Sequence, residues 1–470
     1  MRLELNGTNV IGEGERHGKP RDLFWPWCGA NVSLLALSYG AFVLAFGINF
    51  WQAIIAAFVG TIASFFLVGF SSLAGKRSNA PTTVLSRSVF GVKGNIIPGS
   101  LSYLLFVGWE TVLISLATLA TGTVFQRIGG LSRDLAMGAG FATAVCLTVL
   151  GGVLGFHFIM RLQRWITAAT VVMTLIYFAM TFDVISWQRL TAAKPGSFIA
   201  LIGATIFCIA GIGLGWANSA ADYARYLPRD ASSAGVVGWT VFGSSIVPIV
   251  MVVYGAALSG SDEELAQAIG QDPIGAFTTL LPTWSLVLFA LIAVIGLVGG
   301  ALMDLYSSGL TLISIGVPVK RHVAASFDSA IMIIGTIYIV WISDDFFLPF
   351  QGFLITLGVP IAAWTAIFVT DVFLRRKDYE ESDLYRPEGR YGSWNYRALS
   401  VLVISTVIGW GFVTNTFASW LSWQGYLLFL IGGREGQWAY TNVGVVIALL
   451  VAGASYLLLC AQSVRRQESD

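Results

Sequence analysis

Apolar runs of about 20 residues, each long enough to cross a bilayer as a helix, recur along the chain between short polar or glycine-rich links. Twelve spans are predicted: 28–50, 51–74, 97–123, 136–157, 162–183, 198–222, 235–259, 284–315, 326–343, 347–374, 397–430 and 441–462. The eleventh is long enough to contain a break. Two others carry interruptions. Span six opens as an apolar stretch, 199–210, then places Gly211, Gly213 and Gly215 at alternate positions, followed directly by Trp216, Asn218 and Ser219. Each glycine costs a helix about 1 kcal/mol relative to alanine, so a break is predicted here. Backbone groups freed at this depth cannot face lipid and must be buried in protein or line a watery cavity. The competing expectation is that the glycines only let helices approach closely. Span one carries a smaller interruption, Leu37-Ser38-Tyr39-Gly40. With the first ten spans read as two inverted five-helix repeats, spans one and six correspond, and paired interruptions point to a midplane binding site.

Spans three and eight also correspond, and each holds one acid far from its ends: Glu110 beside Trp109, and Asp304 four residues after Gly300. A carboxylate at the centre of a membrane helix costs several kcal/mol, so it faces a cavity or a partner and marks an ion or proton path. At helical spacing Glu110 shares a face with Phe106 and Ile114, and Asp304 with Gly300, Ser307 and Ser308. The alternative is that each acid merely hydrogen-bonds a neighbouring helix.

Composition agrees with the pattern: 56% of the residues are hydrophobic, 11% are charged, and mean hydropathy is +0.75. This is a multi-pass membrane protein. Of the 27 basic residues, 22 fall in loops and tails on the side of the N-terminus, and Arg127, Arg133, Arg189, Lys194 and Arg434 fall on the other. The positive-inside rule therefore puts both termini in the cytosol, with the chain in the cytoplasmic membrane. The expected organisation is a cytosolic tail (1–24), a first five-helix repeat (25–183), a second inverted repeat (198–374), a cytosolic linker (375–396), two additional spans (397–462) and a cytosolic tail (463–470). The tail before span one has no apolar core that would serve as a cleaved signal. The largest outside loop, 260–282, is acidic and amphipathic, suited to capping an outer vestibule. The loop 75–91 reads as an ordered turn followed by a short interfacial helix. Four scattered cysteines lack zinc or disulfide spacing, the three histidines lie away from mid-membrane, and no nucleotide-binding or nucleophile motif occurs. No enzyme activity, cofactor, metal site or nucleic-acid partner is expected.

Several local patterns together resemble the nucleobase:cation symporters, in the purine–cytosine permease branch. They are Ala221-Asp222-Tyr223-Ala-Arg225-Tyr226-Leu-Pro228, Ser86-Arg87-Ser-Val-Phe90-Gly91, Gly108-Trp109, Tyr306-Ser307-Ser308-Gly309-Leu310, and Asp371-Val-Phe-Leu-Arg375-Arg376 with Tyr379 and Leu384. The resemblance covers roughly residues 25–397. It implies an all-α, five-plus-five inverted-repeat fold with two extra helices, and alternating access. It also implies a flat heterocycle held between helices one, three, six and eight. Trp109 matches the family's stacking aromatic, and the stretch from Gly211 to Ser219 matches the hydrogen-bonding broken helix. The substrate-site expectation is thus Ser38, Phe106, Trp109, Glu110, Gly213, Gly215, Trp216, Asn218 and Asp304. One departure bears on coupling. Sodium-coupled relatives carry helix-eight hydroxyls where this chain has Gly299 and Gly300, and no Ser or Thr occurs between Ser285 and Tyr306. A hard cation wants several oxygen ligands, so protons carried on Glu110 and Asp304 are favoured over sodium. The expected function is import of a nucleobase (cytosine or purine) or a related small heterocycle by proton symport. Sodium symport, a hydantoin- or allantoin-type permease, and a facilitator are the alternatives.

Overall fold

The computed structural model describes residues 6–343, 347–416 and 419–469. Residues 1–5 of the tail, including Arg2, and Asp470 lie outside the described residues. Among those residues no strand occurs, and ten helices are long and apolar enough to cross a bilayer; a further bent pair, Pro20–Asn31 with Leu35–Leu44, makes up to eleven. A shorter apolar helix, Tyr396–Trp410, adds to these. In chain order the spans are α1 (Phe24–Asn31 and Leu35–Leu44), α2 (Phe50–Ser78), α3 (Ile96–Ile128), α4 (Arg133–Leu154), α5 (Phe156–Thr181) and α6 (beginning Phe198–Cys208). The remainder are α7 (Ser233–Ser261), α8 (Leu286–Ser314), α9 (Arg321–Ile337), α10 (Phe347–Leu374), α11 (Tyr396–Trp410) and α12 (Gly444–Ser469). The core forms where α3 packs along α8, where α7 packs on α1 and α2, and where α10 packs on α12.

The break in α6 falls at the three glycines. Helix Phe198–Cys208 widens into a π-turn at Ile209–Gly213, tightens into a 3₁₀ turn at Leu214–Asn218, and resumes as a helix over Ala220–Ala224. The glycines are not there for left-handed backbone: Gly213 sits at φ −114°, ψ −32°. A Cβ on Gly213 would meet Ser64 Oγ at 2.2 Å, so close approach to α2 is what demands a glycine at that position.

In α1 the break lies elsewhere than at Leu37–Gly40. It falls at Val32–Leu34, where the two segments bend by 68° and Val32 leaves helical space at φ −82°, ψ 77°. Side chains cap the two ends: Asn31 Nδ2 donates to the Trp27 carbonyl at 2.8 Å, and Ser33 Oγ accepts from the Leu35 N–H at 3.3 Å. Leu37-Ser38-Tyr39-Gly40 is continuous helix. Its glycine serves packing, because a Cβ on Gly40 would lie 2.1 Å from the Ala256 backbone nitrogen of α7.

The loop after α2 is two short helices, Thr82–Leu85 and Arg87–Phe90, buried in the protein rather than lying at the membrane interface. Asp222 of α6 accepts from the Thr82 N–H at 2.7 Å and its hydroxyl at 2.9 Å. The acidic loop contains a helix, Glu263–Gln271, N-capped by Asp262 and seated by buried Leu265 and Ile269. The N-terminal tail is folded, not free. Ile11 N–H donates to the Asn79 carbonyl, His17 N–H to the Tyr226 carbonyl, and Arg225 Nη1 to the Gly7 carbonyl at 2.8 Å. The tail therefore covers the ends of α2 and α6; the face it covers is called the tail face below.

Candidate functional site

The breaks in α1 and α6 face one another, with α3 and α8 on either side. Between them lies a cavity of ≈ 80 Å³ lined by Asn31, Ser33 and Tyr39 of α1, Phe106 and Trp109 of α3, Gly211, Gly215 and Trp216 of α6, Pro248 of α7 and Asp304 of α8. A larger cavity of ≈ 690 Å³ shares Trp109, Ala210, Gly211 and Gly215 with it. This second cavity extends past Phe42, Phe46 and Phe207 to Ser197, Thr441 and Asn442, at the face opposite the tail. Trp109 thus stands at the junction of an outer vestibule and an inner chamber.

The wall of this junction across from Trp109 is backbone. A Cβ on Gly215 would lie 3.8 Å from Trp109 Nε1 and 3.5 Å from Leu105, whereas Gly211 has only the Phe207 ring and the Tyr39 hydroxyl, both at 4.0 Å. Lacking side chains, these glycines leave a slot with an indole on one side and peptide groups on the other. Tyr39 Oη donates to the Gly211 carbonyl, inside the π-turn, at 3.2 Å. Towards the tail face the chamber is closed by aromatics. Trp27 packs edge-on to Trp216 at 5.8 Å and to Tyr223 at 5.5 Å, Phe156 stacks on Tyr226 at 4.0 Å, and Arg225 donates to Tyr306 Oη at 2.8 Å.

A sequence family described as permease for cytosine/purines, uracil, thiamine, allantoin matches residues 10–432. The chain belongs to that family. Like the other members, the permease is a membrane transporter of the nucleobase:cation symporter group and not an enzyme. A Bacillus subtilis protein named as a purine-cytosine permease, YxlA, is 26% identical over 89% of this chain and 90% of its own length. The purine-cytosine permease FCY22 of Saccharomyces cerevisiae is 22% identical over 92% and 82%. Among solved structures, Mhp1, a nucleobase-cation-symport-1 family transporter in a closed conformation with bromovinylhydantoin bound, matches with TM-score 0.73 at 20% identity, over 98% of each chain. An inward-facing Mhp1 structure matches with TM-score 0.70 at 18% identity, over 100% of this chain and 99% of that one. The fold is that of this transporter class.

Of the residues expected at the substrate site, the permease brings together Phe106, Trp109, Gly215, Trp216 and Asp304 at the inner chamber. Four other expected residues do not line either cavity. Ser38 is buried and spends its hydroxyl on the Pro273 carbonyl of the acidic loop. Gly213 packs on Ser64. Asn218 is buried, and neither of its amide atoms has a hydrogen-bond partner among the described residues. Glu110 is fully buried behind Trp109, and neither of its oxygens is hydrogen-bonded among the described residues.

Sequence reasoning missed Asn31, Ser33 and Tyr39, which the displaced break in α1 carries into the chamber. Asp328 was missed as well. The predicted ninth span began at 326, which put this acid at a helix end, but α9 starts at Arg321 and carries Asp328 inward, fully buried. Asp328 Oδ1 accepts from Tyr103 Oη at 2.6 Å and Oδ2 from Ser308 Oγ at 3.1 Å.

The contact of α1 with α8, where the resemblance puts a sodium ion, is filled by a side chain of α5. Buried Gln163 donates from Nε2 to the Gly299 carbonyl at 2.6 Å. Its Oε1 lies 2.1 Å from where a Cβ on Gly29 would be, so the amide occupies the corner between the two helices. That Oε1 has no hydrogen-bond partner among the described residues.

Proposed function

We propose that the permease is a secondary-active importer of a small planar heterocycle, a nucleobase or a close relative, that enters from the face opposite the tail. The observation that carries this reading is Trp109 at the junction of the two cavities with side-chain-free Gly211 and Gly215 across from it. A flat ring fits such a slot, stacking on the indole while its edge meets peptide groups of α6 and the polar side chains of Asn31, Ser33 and Asp304. The buried amide of Asn218 completes the polar edge once the chamber opens towards the tail face. With 22 of the 27 basic residues on the tail side, that face is the cytosolic one. The two repeats, 25–183 and 198–374, then rock about the chamber, with 375–396 as a cytosolic linker and 397–462 outside the repeats.

For the coupling ion the reading favours protons. Glycines and a donating glutamine amide make a poor oxygen cage for a hard cation, while two intramembrane acids lie at or directly behind the chamber. The test is a thermal-shift screen of purified protein against cytosine, adenine, uracil, allantoin and hydantoin at several sodium concentrations and pH values. Hydantoin belongs in that panel because Mhp1 holds bromovinylhydantoin. A ligand that binds only folded protein raises its stability by mass action. At least one of the five is expected to do so, with a shift that depends on pH and not on sodium. Absence of a shift from all five would overturn the substrate class.

A further inference from the structure

Resting on the proton-coupled reading above, we propose that the coupling proton is shared by Glu110 of α3 and Asp328 of α9, linked through Ser308 of α8, with Tyr103 as the outlet towards the tail face. Asp304, in this arrangement, is a substrate-facing acid and not the proton carrier.

Position argues first. Tyr103 and Glu110 are seven residues apart on α3, two helical turns on one face, and that face is turned to α8 and α9 rather than to the chamber. The two acids differ sharply in what surrounds them. Asp328 accepts two hydrogen bonds, from Tyr103 and Ser308, which suits it to hold a negative charge. Glu110 is equally buried and has none among the described residues. An ionised carboxylate buried without partners is far more costly than the neutral acid. Two neighbouring acids that interact strongly titrate as a pair, so one proton divided between them is the natural state. Asp328 and, more weakly, Asp304 are the charged groups near Glu110, and Ser308, which is hydrogen-bonded to Asp328, stands near the Glu110 carboxyl without being hydrogen-bonded to it.

Among the described residues, no basic side chain is hydrogen-bonded to either acid. α3 contributes Tyr103. α8 contributes Asp304 and Ser308. The inner part of α4, which packs on α9, has only Cys146 as a titratable group, and that thiol is exposed. The basic residues of α9 stand in its first turn: Arg321 donates to the Gly152 and Val153 carbonyls at 2.6 Å each, and His322 follows it. The step itself is a pure proton transfer. Ser308 Oγ gives its proton to Asp328 and takes the proton of Glu110, so one O–H bond breaks and one forms at each end. Tyr103, half-buried, then takes the proton from Asp328 as it gives its own hydroxyl proton to water on the side of the tail face, so one O–H bond forms and one breaks at the phenol oxygen. Coupling follows from chain adjacency: Trp109 and Glu110 are consecutive, so a ring stacked on one and a proton on the other act on the same turn of α3.

The experiment uses the full chain in liposomes with a pH dye inside. Cytosine, adenine, uracil, allantoin and hydantoin are added together outside, and thermal shift with the same mixture is measured in parallel. Wild type should acidify the lumen. Asp328→Asn should keep the thermal shift within about twofold of wild type while acidification falls at least tenfold, and Glu110→Gln should behave alike. Asp328→Asn that binds the mixture and acidifies at the wild-type rate overturns the proposal. Where Asp328→Asn gives no thermal shift at all, Tyr103→Phe and Ser308→Ala decide. Both acidifying at least fivefold more slowly with binding retained supports the relay, and either one matching wild type overturns it. A failure of the proton-coupled reading looks different: wild type itself then shows the thermal shift with no acidification.

Discussion

Tyr39 of α1 and Gly211 of α6 are joined by a 3.2 Å hydrogen bond from hydroxyl to carbonyl, so the two interrupted helices are tied to each other at the rim of the chamber. The carbonyl that Tyr39 reaches lies within the π-turn of α6. The tyrosine also turns its ring edge-on to Phe42 at 6.0 Å and Phe207 at 5.5 Å, in the wall of the outer vestibule. A substrate that moves either helix must therefore work against the other.

The first prediction concerns the indole opposite these glycines. Base–aromatic stacking is worth about 1 to 3 kcal/mol by alanine substitution. Trp109→Ala should weaken binding of the best heterocycle at least tenfold by isothermal titration, and Trp109→Phe should have a smaller effect. A dissociation constant for Trp109→Ala within twofold of wild type, in folded protein, removes the stacking role.

The second prediction separates two glycines that look alike in sequence. Gly213→Ala puts a methyl 2.2 Å from Ser64 Oγ and 2.7 Å from Ser64 Cβ. Overpacking of this kind costs about 1–3 kcal/mol, so melting temperature should fall, and Ser64→Gly in the same protein should restore much of it. Gly215→Ala meets only ordinary contacts at 3.5 and 3.8 Å. It should fold normally yet bind substrate several-fold more weakly, because its methyl takes room beside Trp109. Equal loss of stability in both variants contradicts the distinction.

These two glycines also mark how far the sequence could be read. The break in α6 was legible because glycine signals weak helix wherever it clusters. Which glycine faces a cavity and which faces Ser64 depends on α2, which is remote in sequence. The break in α1 left a fainter trace, since Val32-Ser33-Leu34 is as apolar as a continuous helix and only Asn31 and Ser33, acting as caps, interrupt it. Ser38 drew attention as a polar residue in an apolar run, but its partner is a carbonyl of a loop 235 residues away. Asp328 was hidden by a boundary error of five residues.

A third prediction concerns the tail. Glu13 pairs with Arg16 at 2.7 Å and Arg229 at 3.3 Å, and Arg229 also reaches Glu381 at 2.5 Å. The Arg16 hydrogen bond, aided by Arg229, holds the Glu13 carboxyl below its ordinary value. A depressed carboxyl contributes fully above its unfolded value, about 4.3 for glutamate, and its contribution is lost as pH falls through the depressed one. This arm of the latch is therefore constant between pH 6 and 8, and Glu13→Gln should leave the pH profile of uptake in that window unchanged. Deleting residues 6–17 removes the whole cover. It should increase alkylation of a cysteine placed at Thr311, whose hydroxyl lies 2.9 Å from Thr83 Oγ1 beneath the tail face. Unchanged labelling after deletion rejects a latch role.

The last prediction concerns sodium, and Gln163 decides it. Its amide donates to the Gly299 carbonyl at 2.6 Å, and in that orientation it presents an N–H where a cation would need an oxygen. Substrate affinity in wild type should accordingly be unchanged when sodium is replaced by choline or potassium. Gln163→Ala removes a buried hydrogen-bond partner and leaves a void. Leaving a buried carbonyl unpaired costs about 1–3 kcal/mol, so this variant should melt earlier while remaining indifferent to sodium. The opposite outcome has an equally specific meaning. Gln163 Oε1 lacks a hydrogen-bond partner among the described residues and lies against Gly29, close to backbone carbonyls of α1. If sodium raises substrate affinity in wild type and Gln163→Ala abolishes that effect, the amide oxygen is a cation ligand, and the ion site has been rebuilt around α5 instead of the missing hydroxyls of α8.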